Sequence, residues 1–331
     1  MFGLNLFIAG IEKCGTTSLA SWLVSNGLAK YRVPGIKEPY SYAVGEVSAN
    51  RGLTPPGVLL DASVGYSFNP KAIGHLPEHN TKVILCLRNH FDRCFSAYSF
   101  YQTIARRDGT SVALQKTTPT DFNEPGEGDP EQLFETLFQI YKLHYPAKSE
   151  GVLRRYFIEQ AENISVQSFR ERIDYETGFF LSRRSFPFFS ILGSGFFAYP
   201  LRNLLNKFKA SDVYLLTLDQ LSTEDVRNEF VRDLLGKKDR NSNLPPLPSL
   251  NATTELTANQ TKPDFHSSDW DTLRDYFKRD LSDFRSIAQS AGVSLKYVSE
   301  EKLDKYFVHT AGNSTPNDGQ AGAQRQDSCN R

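Results

Sequence analysis

Four short apolar runs recur along the chain, and none of them alternates with polar residues: Asn5 to Ala9 (NLFIA), Val58 to Asp61 (VLLD), Lys82 to Leu87 (KVILCL) and Val213 to Leu218 (VYLLTL). A strand with one wet face shows period two, so runs of this kind mark strands covered on both sides. Helical patterns follow each of them. Leu19, Trp22, Leu23 and Asn26 are spaced for a helix before Gly27, and Asn69-Pro70 supplies an N-cap and a first-turn proline. Phe91, Phe95 and Tyr98 keep the helical period, and Thr223 to Leu235 predicts a helix closed by Gly236. The alternation predicts an α/β chain built on a parallel sheet with helices on both faces.

From about residue 103 to 190 the pattern changes. A Gly/Pro/acid loop (Asn123 to Pro130) precedes a helix carrying Leu133, Leu137, Ile140 and Tyr141 in a stripe, and no strong strand follows. We read this stretch as a helical insertion over the sheet's ligand edge in a single domain of residues 1–309, with a separate subdomain as the alternative. Further helices are expected over Tyr199 to Phe208 and over Ser268 to Ala291, where Trp270, Leu273, Phe277, Leu281, Phe284 and Ala288 share one face. The polar, Gly/Asn/Gln-rich residues 310–331 predict a disordered tail.

Charge and cysteine content exclude some functions. The 38 basic and 38 acidic residues cancel, so no bulk field draws the chain to nucleic acid. Four scattered cysteines (Cys14, Cys86, Cys94, Cys329) fit neither a disulfide framework nor a CxxC metal site. His75 and His79 have a metal-pair spacing, but Pro77 would break the helix needed to align them, and no metal is expected. With no run of about 18 apolar residues and no signal-like N-terminus, the expected location is cytoplasmic.

The chemistry concentrates in Gly10-Ile-Glu-Lys-Cys-Gly-Thr-Thr-Ser18, between the first strand and the first helix. N–H groups of a helix's first turn and its dipole make an anion site there. Gly10 and Gly15 permit close backbone approach, Lys13 adds a point charge, and Thr16, Thr17 and Ser18 add hydroxyls. This makes the fold P-loop-type, yet the loop departs from G-x-x-x-x-G-K-[ST], because Thr16 stands where the lysine belongs. The strand KVILCL ends in Arg88 rather than in an acid that could hold magnesium. Cations at two strand ends predict a ligand with two anionic centres. A P-loop nucleotide kinase or phosphotransferase, and a catalytically silent nucleotide-binding protein, are the alternatives.

G-x-x-K-x-G-T-T-S-L (Gly10 to Leu19) resembles the 5′-phosphosulfate loop of sulfotransferases that use 3′-phosphoadenosine 5′-phosphosulfate (PAPS). Arg88-Asn-His-Phe-Asp-Arg93-Cys-Phe-Ser96-Ala-Tyr98 resembles their 3′-phosphate motif, R-N-P-x-x-R-x-x-S-x-Y, with His90 in place of proline. More loosely, Gly195 to Leu201 and VYLLTLDQL resemble a later region of the heparan-type and bacterial carbohydrate members, with Phe197 where tyrosine is common and Asp219 where glutamate is usual. The resemblance implies sulfuryl transfer from PAPS, without a metal, to a hydroxyl or amine of a glycan or small metabolite.

By that resemblance Lys13, Gly15, Thr16, Thr17 and Ser18 hold the 5′ end, Arg88 and Ser96 hold the 3′-phosphate, and Lys13 also steadies the leaving group. Glu38 in Lys37-Glu38-Pro39-Tyr40-Ser41-Tyr42 resembles the K-E-x-x-F-F acid that serves as catalytic base, and a carboxylate within reach of the acceptor could do that work. The other reading of Glu38 is an exposed loop acid paired with Lys37. Asp61-Ala-Ser63-Val-Gly-Tyr66 resembles E-K-S-P-x-Y-F, but Ala62 removes the lysine; Arg106 or Arg107 could substitute for it, and Asp61 is the reserve base. The aromatic residues of the insertion (Tyr141, Tyr156, Phe157, Phe179, Phe180, Phe188, Phe189 among them) could stack on an acceptor or form core.

Overall fold

A computed structural model describes residues 3–43, 56–106, 130–143, 148–236, 244–248 and 261–307. In chain order its elements are β1 (Leu4–Gly10), α1 (Thr16–Ser25), β2 (Lys30–Tyr31), β3 (Val58–Asp61), α2 (Pro70–His75), β4 (Thr81–Leu87), α3 (His90–Arg106), α4 (Pro130–Leu143), α5 (Glu150–Val166), α6 (Phe169–Arg183), α7 (Ala198–Leu205), β5 (Val213–Thr217), α8 (Glu224–Leu235), α9 (Asp271–Ala291) and α10 (Glu300–Asp304). The five strands form one wholly parallel sheet in the order β2-β3-β1-β4-β5. Helices flank it, as an all-parallel sheet requires.

The central strands are the apolar ones. Leu6 to Ala9 on β1 and Val83 to Cys86 on β4 are fully buried, and β1 pairs with β4 from Asn5↔Thr81 to Gly10↔Leu85. β2 is only two residues long and half-wet. Its place comes from pairing with β3 (Lys30↔Leu59, Tyr31↔Leu60), which its own sequence does not announce. The Asn69 side chain caps α2 by accepting from Lys71 N and Ala72 N, with Pro70 in the first turn. Gly236 closes α8 in the left-handed conformation. Two expected spans shift: Ser268–Trp270 forms a 3-10 turn before α9, and α7 ends at Leu205 instead of Phe208.

Between α3 and residue 190 the described residues hold helices α4 to α6 and no strand. They close over a second apolar core containing Phe91, Phe95, Phe134, Phe157, Phe188 and Phe189, separate from the core of the sheet. Phe157, Phe188 and Phe189 are buried and belong to the core rather than to a stacking surface; Tyr141, Tyr156 and Phe179 are half-buried, and Phe180 is exposed. One buried ion pair anchors the segment leaving this layer. Arg172 and Glu176, both wholly buried on α6, pair at 2.7 Å. Glu176 also accepts from Ser190 Oγ, Ile191 N and Leu192 N, while Arg172 donates to the carbonyls of Phe188 and Phe189.

Among the described residues no helix is long and apolar enough to cross a membrane, and no cluster of His, Cys, Asp and Glu is arranged to hold a metal ion. Arg107 and the tail 310–331 lie outside the described residues.

Candidate active site

The loops leaving β1 and β4 start side by side, since these strands are neighbours at the middle of the sheet. In a parallel sheet the crevice beyond the strand C-termini is where ligands bind. Ile11 N donates to Cys86 O at 3.0 Å, which ties the start of the first loop to β4. Arg88, at the end of β4, donates from Nη1 to Lys13 O at 3.3 Å and is otherwise exposed. The two segments singled out in the sequence therefore meet in one place.

Gly15 takes a left-handed φ of 83° just before α1, and a Cβ there would stand 2.1 Å from Leu218 Cδ1. Only glycine fits both constraints. No side chain caps α1, and its first turn carries no acid, so the helix end keeps its attraction for an anion. Thr16 and Ser18 are buried, whereas Thr17 is half-buried. Lys13 is also left-handed (φ 63°), and its Nζ lies 4.1 Å above the centre of the Phe100 ring. Burial lowers its pKa to about 8; Arg88 and Lys37 push it the same way, against Glu12 and Glu38.

Glu38 lies within that same field. It is not an exposed loop acid: its side chain is 9% exposed, that of its ion-pair partner Lys37 is 2% exposed, and Tyr40 OH donates to its second oxygen at 3.0 Å. Both carboxylate oxygens are thus fixed in direction by neighbours two residues away or fewer. Lys37 O in turn accepts from Ala62 N at 2.9 Å, which fastens the segment to the end of β3. Lys37 is accordingly a buried cation beside the site; the side chain of Arg106 and the whole of Arg107, the substitutes the sequence offered, lie outside the described residues.

Asp61 is fully buried and serves the interior. Ser63 N, Ser63 Oγ and Tyr66 OH all donate to it, at 3.1, 2.6 and 3.0 Å. Burial raises its pKa to about 6, against those hydrogen bonds and Arg32. Ser96 is 3% exposed on α3, one helical stretch away from exposed Arg88. Arg93, from the same motif, points inward: its guanidinium donates to Ser194 Oγ at 3.0 Å and to Ile191 O, beneath Gly195, where a Cβ would come within 2.7 Å. His90 is structural. Its ring stacks on Phe197 (4.0 Å) and Phe277 (4.7 Å), and Nε2 lies 2.9 Å from Asp280 Oδ2, the oxygen that also accepts from Phe197 N.

Sequence reasoning passed over Glu12 and Tyr101. Tyr101 OH on α3 donates to the Glu12 carboxylate, at 2.8 Å from Oε1 and 2.6 Å from Oε2. An acid inside an anion loop is itself a signal, but its partner lies 89 residues away.

No family model matches the chain, and no curated protein matches it significantly. Among solved structures, the crystal structure of a sulfotransferase from Alicyclobacillus acidocaldarius is similar at 17% identity, covering 86% of this chain and 96% of that one, with a TM-score of 0.47.

Proposed function

We propose that the chain transfers a sulfuryl group from PAPS to a hydroxyl or amine of a glycan or small metabolite, in the cytoplasm. The observation that carries this reading is the meeting of Lys13 and Arg88 at adjacent strand ends, each within a segment resembling a different phosphate motif of one nucleotide. The donor set suits a doubly phosphorylated adenosine. An uncapped helix end and a half-buried ammonium sit at one point, and an exposed guanidinium at the next.

Sulfuryl transfer asks for in-line positioning, stabilisation of charge on the leaving phosphate, and removal of the acceptor's proton. Lys13 Nζ supplies a fixed cation beside the loop where the 5′-phosphate would lie, with Gly15, Thr16, Thr17 and Ser18 around it. Arg88, with Ser96, would take the 3′-phosphate. Glu38 is the base: its carboxylate, with one oxygen held by Lys37 and the other by Tyr40, accepts the acceptor's proton without first having to reorient. PAPS itself supplies the activated sulfuryl group. The β4 strand running into Arg88 instead of a carboxylate speaks for charge neutralisation by protein side chains.

Thermal unfolding with the desulfated product 3′-phosphoadenosine 5′-phosphate (PAP), ATP and magnesium-ATP tests the reading. PAP at a hundredfold excess over its Kd should stabilise the fold by about 2.7 kcal/mol. Stabilisation by ATP with none by PAP rejects it. Mass spectrometry of PAPS reactions with sugars and small alcohols then identifies the acceptor.

A further inference from the structure

The loop that suits an anion contains one of its own. Glu12 sits between Ile11 and Lys13, and its carboxylate is supported thinly: among the described residues no ion pair joins it to Lys13. Lys13 Nζ is turned to the Phe100 ring, and the single proton of Tyr101 OH is shared between the two Glu12 oxygens. Arg93 on α3 also acts on Glu12 through its charge; its Nη atoms donate to Ser194 Oγ, Cys94 Sγ and Ile191 O, its buried Nε has no hydrogen-bond partner, and no hydrogen bond joins it to Glu12 among the described residues. Glu38, of the same sign, acts on Glu12 too; the Cys14 thiol and the Tyr40 hydroxyl also lie within its field, and Arg88 reaches the neighbouring Lys13 carbonyl.

Glu12 has little freedom to swing away. Tyr101 is 3% exposed and packs edge-on against Phe189 (5.5 Å) and beside Phe100 (5.6 Å). Tyr141 on α4 adds to the same network, its hydroxyl accepting from Phe189 N at 3.3 Å. A phosphate entering the loop brings negative charge against a carboxylate that stays in place, and it draws on the Lys13 field that helped keep that carboxylate ionised. Proton uptake relieves this conflict without moving the chain.

We propose that Glu12 takes up one proton from solvent when a phosphate-bearing nucleotide occupies the loop. The proton adds to a carboxylate oxygen, no bond in the protein breaks, and binding weakens as pH rises. Burial already pushes the Glu12 pKa above the ordinary carboxylate value, with Glu38 adding to it and Tyr101, Arg93 and Lys13 opposing. The inference rests on the nucleotide reading of the loop and makes Glu12 a determinant of which charge state of ligand the loop accepts.

Calorimetric titration of PAP into the full chain, in two buffers of different ionisation enthalpy at pH 6.5, measures the proton count for wild type and Glu12→Gln. Wild type should take up close to one proton more than the variant, a difference from which the ligand's own phosphate titration cancels. Between pH 5.5 and 7.5, wild-type Kd should rise more steeply than that of Glu12→Gln, by up to about tenfold per pH unit. Tyr101→Phe, which leaves Glu12 in place without its hydrogen bond, should lower the uptake at pH 6.5 because the free protein already holds part of the proton. Equal uptake and parallel Kd profiles across these proteins overturn the inference while leaving nucleotide binding intact. Failure of PAP to bind wild type and both variants removes the nucleotide reading, and this inference with it.

Discussion

Lys13 combines three features: a left-handed backbone, a ring beneath its ammonium, and a pKa lowered to about 8 by burial. An anion in the loop favours the protonated form, so PAP affinity should fall as pH climbs through about 8, approaching tenfold per unit above it. Lys13→Arg, whose charge persists, should keep its affinity to pH 9.5; an equal fall in both proteins, read by calorimetry, would show that Lys13 is not the group responsible. The residue types of this site were legible in the sequence. Lys13 and Arg88 stand in short motifs whose chemistry follows from being near a strand end. The environment of Glu38 was half legible: Lys37 and Tyr40 are its neighbours in the chain, but their burial comes from packing against β3. Glu12–Tyr101 and Arg93–Ser194 join residues 89 and 101 positions apart, and no local pattern encodes such pairs.

At the level of elements, β1, β3, β4 and β5 were readable because strands covered on both faces need unbroken apolar runs. α1, α2, α3 and α8 were readable from helical spacing and from their caps. β2 was not, being two residues placed by a neighbour's edge, and neither was short α10. The polar clamp on α6 also escaped, since Arg172 and Glu176 look like an ordinary surface pair at i,i+4 until their burial is known. Breaking a buried pair by removing one partner leaves the other charged and unsolvated, which costs about 3–5 kcal/mol. Glu176→Ala should therefore lower the urea midpoint by that much stability, and it should free the 188–192 backbone, read as faster amide exchange at Ile191 and Leu192. Loss below about 1 kcal/mol would mean that the clamp contributes little.

For the molecule as a whole, α9 decides how the two cores relate. Leu281 and Phe284 belong to the core of the sheet, while Leu273 and Phe277 on the same helix belong to the core under α3 to α6. One rigid rod shared by both cores predicts a single cooperative unfolding transition. The two tryptophans offer a direct test, because Trp22 is buried in the first core and Trp270 in the second. In Trp270→Phe and Trp22→Phe proteins, fluorescence and far-ultraviolet circular dichroism should give the same urea midpoint within each variant. A fluorescence midpoint displaced from the dichroism midpoint in either would mean that the cores melt separately. The shared rod also bears on how the chain is made. In the chain α9 follows all five strands and helices α1 to α8, so both halves must linger with a flank uncovered while translation proceeds. Until that last long helix emerges, the nascent polypeptide is a natural client for chaperones that shield exposed phenylalanine.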